Sequence, residues 1–144
     1  FDPAKYGTVT ASSCAANGVV DAVKDGRRPA SSADTTLDAW ISSGDSEKEW
    51  IQMVFDQPQT IERLGLFWVS CDQVEIPAHW RMEYLLDGNW HPFEKYITDV
   101  YGVSKDRFNT IHPAAELTCE GLRINIEAQA GKSVGLFDLE LNLR

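Results

Sequence analysis

Apolar residues in this chain recur at alternate positions far more often than at helical spacing, the mark of strands with one buried face. In Trp50-Ile51-Gln52-Met53-Val54-Phe55, residues Ile51, Met53 and Phe55 share one side. Ile61, Leu64, Leu66 and Trp68 approximate a second strand, and Trp80, Met82 and Tyr84 a third. Leu122, Ile124 and Ile126 alternate with Arg123, Asn125 and Glu127. Phe137, Leu139, Leu141 and Leu143 alternate with Asp138, Glu140 and Asn142. Shorter runs at 8–12, 90–93 and 107–112 bring the total to about eight strands, as in an antiparallel jelly-roll β-sandwich. The expected fold class is all-β.

Turn chemistry separates these runs. Asp87-Gly88-Asn89 reads as a hairpin, since Gly tolerates positive φ and Asp or Asn bonds its own backbone. Asp56-Gln57-Pro58 is expected to end one strand before Ile61 begins the next. The one substantial helical candidate is short, at 16–23, and contains Gly18. Residues 25–39 are polar and rich in breakers and read as a long ordered loop, a length that is usually functional or disordered. With no internal repeat or interdomain linker, residues 1–144 are read as one domain.

Composition narrows the partners. A net charge of -9 argues against nucleic acid, whose phosphates need clustered Lys and Arg. Arg27-Arg28 is the one basic doublet, with Asp25 and Asp34 close by. No apolar run approaches the roughly 20 residues that span a bilayer, so no membrane insertion is expected. The start at Phe1-Asp2-Pro3 is read as that of a processed chain or a piece of a longer one. Three cysteines form neither a disulfide framework nor a zinc-type spacing. They read as isolated small residues, with a Cys71–Cys119 bridge left open.

Catalytic signals are weak. A glycosidase needs two carboxylates about 5–10 Å apart across a cleft. Asp72 with Glu75, or Asp138 with Glu140, could be paired, but neither context would raise a pKa. No nucleophile elbow, zinc-protease motif or phosphate loop occurs, and His79, His91 and His112 stand apart. The chain is not expected to be an enzyme.

The order of these features resembles the discoidin group, the coagulation-factor type C domains. Within that group it is similar to carbohydrate-binding module family 32, of galactose-binding-like fold. The likeness runs through Val9-Thr10-Ala11-Ser12, Asp25-Gly26, Asp38-Ala39-Trp40 and Trp50-Ile51-Gln52-Met53-Val54-Phe55 with Thr60-Ile61. It continues through Pro77-Ala78-His79-Trp80-Arg81-Met82-Glu83-Tyr84, Asp87-Gly88-Asn89-Trp90 and Val134-Gly135-Leu136-Phe137-Asp138. The resemblance implies a carbohydrate-binding module of a secreted, periplasmic or cell-surface bacterial polysaccharide-degrading enzyme. Its partners would be a plant or host polysaccharide and an attached catalytic domain. The alternative is a structural accessory sandwich packed on such a domain, which predicts an exposed apolar patch.

The resemblance also implies a structural calcium. The matching ligands are the Asp25 side chain, carbonyls around Lys24 and Arg27, Asp38 where the family often has Thr, and Asp138 where it often has Glu. Sugars stack an apolar face on an aromatic ring and bond their hydroxyls to planar polar groups. By family position Trp40 and Trp50 belong to the core, and Trp68, Trp80 and Trp90 fit strands. Loop residues therefore lead as sugar ligands: Asp72, Gln73, Glu75 and His79 in 70–79, then Tyr101 and Arg107 in 96–109. Gly131-Lys132-Ser133 lacks the aromatic that related binders often place there.

Overall fold

The alternating runs fold as antiparallel strands. The computed structural model describes residues 7–143, so the opening Phe1-Asp2-Pro3 lies outside it. The strands are β1 (Gly7–Ala11), β2 (Trp40–Ile41), β3 (Lys48–Trp68), β4 (His79–Leu86), β5 (Asn89–Pro92), β6 (Asn109–Ile111), β7 (Leu117–Glu127) and β8 (Gly135–Leu143). They follow one hydrogen-bonded path, β2-β8-β3-β7-β4-β5, with β1 and β6 also paired to β3. This is the expected all-β sandwich.

Two strands predicted separately are one. Asp56-Gln57-Pro58 does not end the first run, because β3 continues for 21 residues. Its register with β7 breaks between Val54 and Gln59. Pro58, which has no N–H to offer, therefore lies where no ladder bond is demanded. Before the break β3 pairs with β1 and β7; after it, pairing with β7 resumes over Gln59, Thr60 and Ile61 and β3 goes on to pair with β6 and β8. One strand thereby serves both layers. The first holds β1, β7, β4 and β5, and the second β2, β8 and β6.

Ile51, Met53, Trp80, Met82, Leu122 and Ile124 from the first layer meet Leu64, Leu66, Trp68, Leu136, Leu139 and Leu141 from the second in one core cluster. A smaller cluster of Ala39, Phe67, Val69 and Phe137, joined by Leu37, Ile41 and Phe108, forms beside it. A bulge creates it: Phe67 faces Asp138 and Trp68 faces Leu136, leaving Phe137 as the extra residue. Loop 25–39 covers this side. Ser32, almost fully buried, accepts from the Asp106 N–H at 2.8 Å and donates its own N–H to Asp106 at 2.8 Å. Arg28 lies 4.7 Å from the Phe108 ring centroid and bonds Glu140 at 2.7 Å.

Three expectations change or hold here. The helix at 16–23 is only a 3-10 turn, Val20–Lys24, with no side-chain cap. The Ala15 and Val19 N–H groups donate instead to the Ile41 and Ala39 carbonyls of the segment around β2, so residues before the turn cannot wind into an α-helix. The β4–β5 hairpin forms as read, with positive φ at Asp87 and Gly88. Cys71 and Cys119 do not bridge; Cys119 is buried in the core and both thiols are free.

Candidate binding cleft

Loops at one end of the sandwich enclose a cleft of about 450 Å³. Its floor is the smaller apolar cluster, with Leu37, Ile41, Val69 and Phe137 among the lining residues. Its polar lining includes Asp34, Asp38, Asp72 and Gln73, and neither Lys nor Arg lines it. The walls are held by backbone bonds. Cys71 and Val74 exchange N–H···O bonds at 2.9 and 3.0 Å, closing a tight turn with Asp72 and Gln73 at its tip. Asp72 takes a φ of 55°, which Asp tolerates better than most residues. The Ser133 N–H then donates to the Gln73 carbonyl, and the Glu75 N–H to that of Ser133, each at 3.0 Å. On the opposite wall Asp34 accepts from the Ala30 N–H and from Thr36. Those bonds, the Ala30 one foremost, hold its carboxyl below the usual range, so it stays charged.

The candidate sugar ligands separate. Asp72 and Gln73 share the cleft, and Lys132 from outside it donates to the Gln73 side chain at 3.4 Å. Glu75 is a staple: its Oε1 accepts from Ser70 Oγ at 2.7 Å and from the Ile76 N–H at 2.9 Å. The Ser70 bond is the first cause of its lowered pKa. His79 begins β4 and lines a different hollow. Tyr101 packs on Trp80, with ring centroids 4.8 Å apart, and burial raises its phenol pKa. Arg107 is exposed on its loop, apart from the cleft. Asp34 also lines the cleft and is not among the sugar ligands expected from the sequence; its signal is a carboxylate between Ser32 and Thr35-Thr36 on the loop already singled out.

The five tryptophans also divide. Trp40, Trp68 and Trp80 are buried in the core, and Trp68 and Trp80 both donate to the Gly102 carbonyl, at 3.1 and 2.8 Å. Trp50 stands outside the core cluster, contrary to its family position, because it points to the outer side of β3 while Ile51 and Met53 point inward. Trp90 is likewise partly exposed and lies under Arg123, 4.3 Å from ring centroid to guanidinium.

Of the candidate calcium ligands, Asp138 is 3% exposed and its Oδ1 has no hydrogen-bond partner. Burial first, then repulsion from Asp25 and Glu140, pushes its pKa up to about 7. The Asp25 carboxylate accepts from the Arg27 N–H at 2.9 Å, an Asx turn that shapes the start of the loop. Lys24 spends its ammonium on the Gly7 carbonyl at 3.0 Å. Asp38 lines the cleft. Among the described residues no three His, Cys, Asp or Glu side chains converge as a metal cluster, so carbonyl oxygens would have to supply most of any shell.

Antiparallel strands in two layers, with a loop-built cleft beside them, define the fold class of the chain. The F5/8 type C domain model matches residues 8–137, and the chain belongs to that family. Among curated proteins none matches the sequence. Several solved structures share the fold. The Streptococcus pneumoniae β-galactosidase BgaA matches at TM-score 0.77 and 12% identity, over 97% of this chain and 98% of that one. The family 32 carbohydrate-binding module of C. perfringens NanJ, in complex with galactose, matches at 0.73 and 10%, over 97% and 95%. Chitosan-binding module 2 of the Paenibacillus sp. IK-5 chitosanase/glucanase, with chitotriose, matches at 0.69 and 17%, over 94% and 95%.

Proposed function

We propose that the chain is a non-catalytic carbohydrate-binding module whose cleft holds a glycan bearing free amino groups. One observation carries this reading: Asp34, Asp38 and Asp72 line a cleft with an apolar floor and no Lys or Arg. Three carboxylates attract ammonium groups, and the apolar floor accepts the C–H face of a pyranose. A chitosan-binding module and a galactose-binding one share the fold, which supports sugar as the ligand class. The parent would be a secreted bacterial polysaccharide-degrading enzyme. Calorimetry with a glucosamine hexamer tests the proposal. Binding should vanish when the amines are acetylated and weaken about fivefold in Asp72→Asn, the worth of roughly 1 kcal/mol for a partly exposed ion pair. Equal binding of the acetylated hexamer would overturn the amino-sugar assignment.

The same reading includes a structural calcium held by Asp138 and Asp25 with the Lys24 and Arg27 carbonyls. The unpartnered Asp138 Oδ1 supports it, since a buried acceptor beside a second carboxylate suits a hard cation. The melting temperature should rise with calcium and fall with chelator, and Asp138→Asn should remove the difference. Equal melting in both conditions would count against the ion. A second reading, a sandwich docked on a catalytic domain, is favoured by Tyr96, Ile97 and Val100, which are 51%, 88% and 71% exposed.

A further inference from the structure

The outer side of the first layer carries a groove that the cleft does not use. Register places Trp50, Asn125 and Arg81 in one row across β3, β7 and β4, and Lys48, Glu127 and His79 in the next. Strands lie about 4.8 Å apart, so each row crosses roughly 10 Å, and the hollow between them holds about 470 Å³. From these observations we infer that this groove is a second ligand site, for a neutral oligosaccharide lying across the three strands.

Unspent hydrogen-bonding groups support this. The Lys48 ammonium, the Arg81 guanidinium and the Trp50 indole N–H make no hydrogen bond to another described residue, although the Arg81 charge acts on Glu83. Asn125 is oriented: its Nδ2 donates to Glu83 Oε1 at 2.7 Å, and that same oxygen accepts from Arg123 Nε and Nη2 at 3.1 and 3.0 Å. The Asn125 carbonyl oxygen is thereby left over for a ligand. Glu49, at 5% exposure, alternates with Lys48 and Trp50, so its side chain turns to the other side of β3. Its Oε1 accepts from the Ser12 and Ser13 hydroxyls at 2.6 and 2.8 Å, and its Oε2 has no partner. Side chains of both signs, Lys48 and Arg81 with Glu127, stand together here, so the groove is not built for a simple ion. Groups that donate and groups that accept stand side by side beside an indole face, and sugar hydroxyls do both.

The test is two-dimensional amide and indole NMR of the full chain in the Asp72→Ala background, which cripples the cleft. Cellohexaose, xylohexaose and mannohexaose are each added at millimolar concentration. The Trp50 indole N–H and Arg81 Nε–H signals should move with at least one of them. Trp50→Ala and Arg81→Gln should each weaken that binding at least about tenfold. Arg81→Gln lies on the surface, so an unchanged melting temperature shows that its loss of binding is not unfolding. The inference is overturned if no hexasaccharide moves the Trp50 indole signal, or if Arg81→Gln binds as tightly as the parent. The glucosamine-hexamer titration of the cleft stands or falls separately.

Discussion

Asp138 shows how a single buried residue sets a stability term. Its carboxyl is buried beside Asp25 and Glu140, with Arg28 as the compensating charge. Its folded pKa of about 7 exceeds the ordinary value of 3.8. Between those values the native state therefore binds more protons than the unfolded one, and stability falls as pH rises. The contribution is complete below about pH 4 and lost through about pH 7, up to about 4 kcal/mol at roughly 1.4 per unit. Chemical denaturation from pH 4 to 8 in chelator should show that slope, and Asp138→Asn should flatten it. Asn109 is a second such residue. Its Nδ2 donates to the Leu66 and Ser104 carbonyls at 3.2 and 3.0 Å, and its Oδ1 accepts the Ser104 N–H at 2.9 Å. Asn109→Ala should cost about 2–3 kcal/mol by urea unfolding, because it strands those buried groups.

At the scale of the element, β3 joins the layers, and its two halves respond differently to proline. Gln52 is paired on both sides, to Thr10 of β1 and Arg123 of β7. Gln52→Pro should cost more than about 3 kcal/mol or prevent folding, judged by circular dichroism. Pro58 sits in the gap of the β7 register, so Pro58→Ala should change stability by less than about 1 kcal/mol. The alternation of Ile51, Met53 and Phe55 was legible, and so was the Asp87-Gly88 hairpin, since both are local. The continuity of β3 was not: Asp56-Gln57-Pro58 has the composition of a turn, and only the partner strand's register lets it stay extended. The turn at Val20–Lys24 was misread as a longer helix for the same reason, because neighbours claim the preceding N–H groups.

The whole molecule presents chemically distinct faces on one acidic chain. At net charge -9, binding of a cationic glycan should weaken as salt rises, while neutral-sugar binding in the groove should not. Titrations at low and physiological ionic strength distinguish them. The exposed Ile97 and Val100 make a third face. Ile97→Ser should leave stability within about 0.5 kcal/mol, which thermal unfolding checks.

From the sequence alone came the fold class, most strands, the ordered 25–39 loop and two cleft residues, Asp72 and Gln73. The fold class, strands and loop follow from local periodicity and turn chemistry, which act over a few neighbouring residues, whereas Asp72 and Gln73 were expected from the family resemblance of their loop. Tertiary structure decided the rest. It buried Tyr101 against Trp80, turned Glu75 into a staple, carried Asp34 and Asp38 to the wall opposite Asp72, and left Trp50 facing outward beside Arg81. These placements depend on which distant strands pair and in what register, and a one-residue slip in register turns every side chain to the other face.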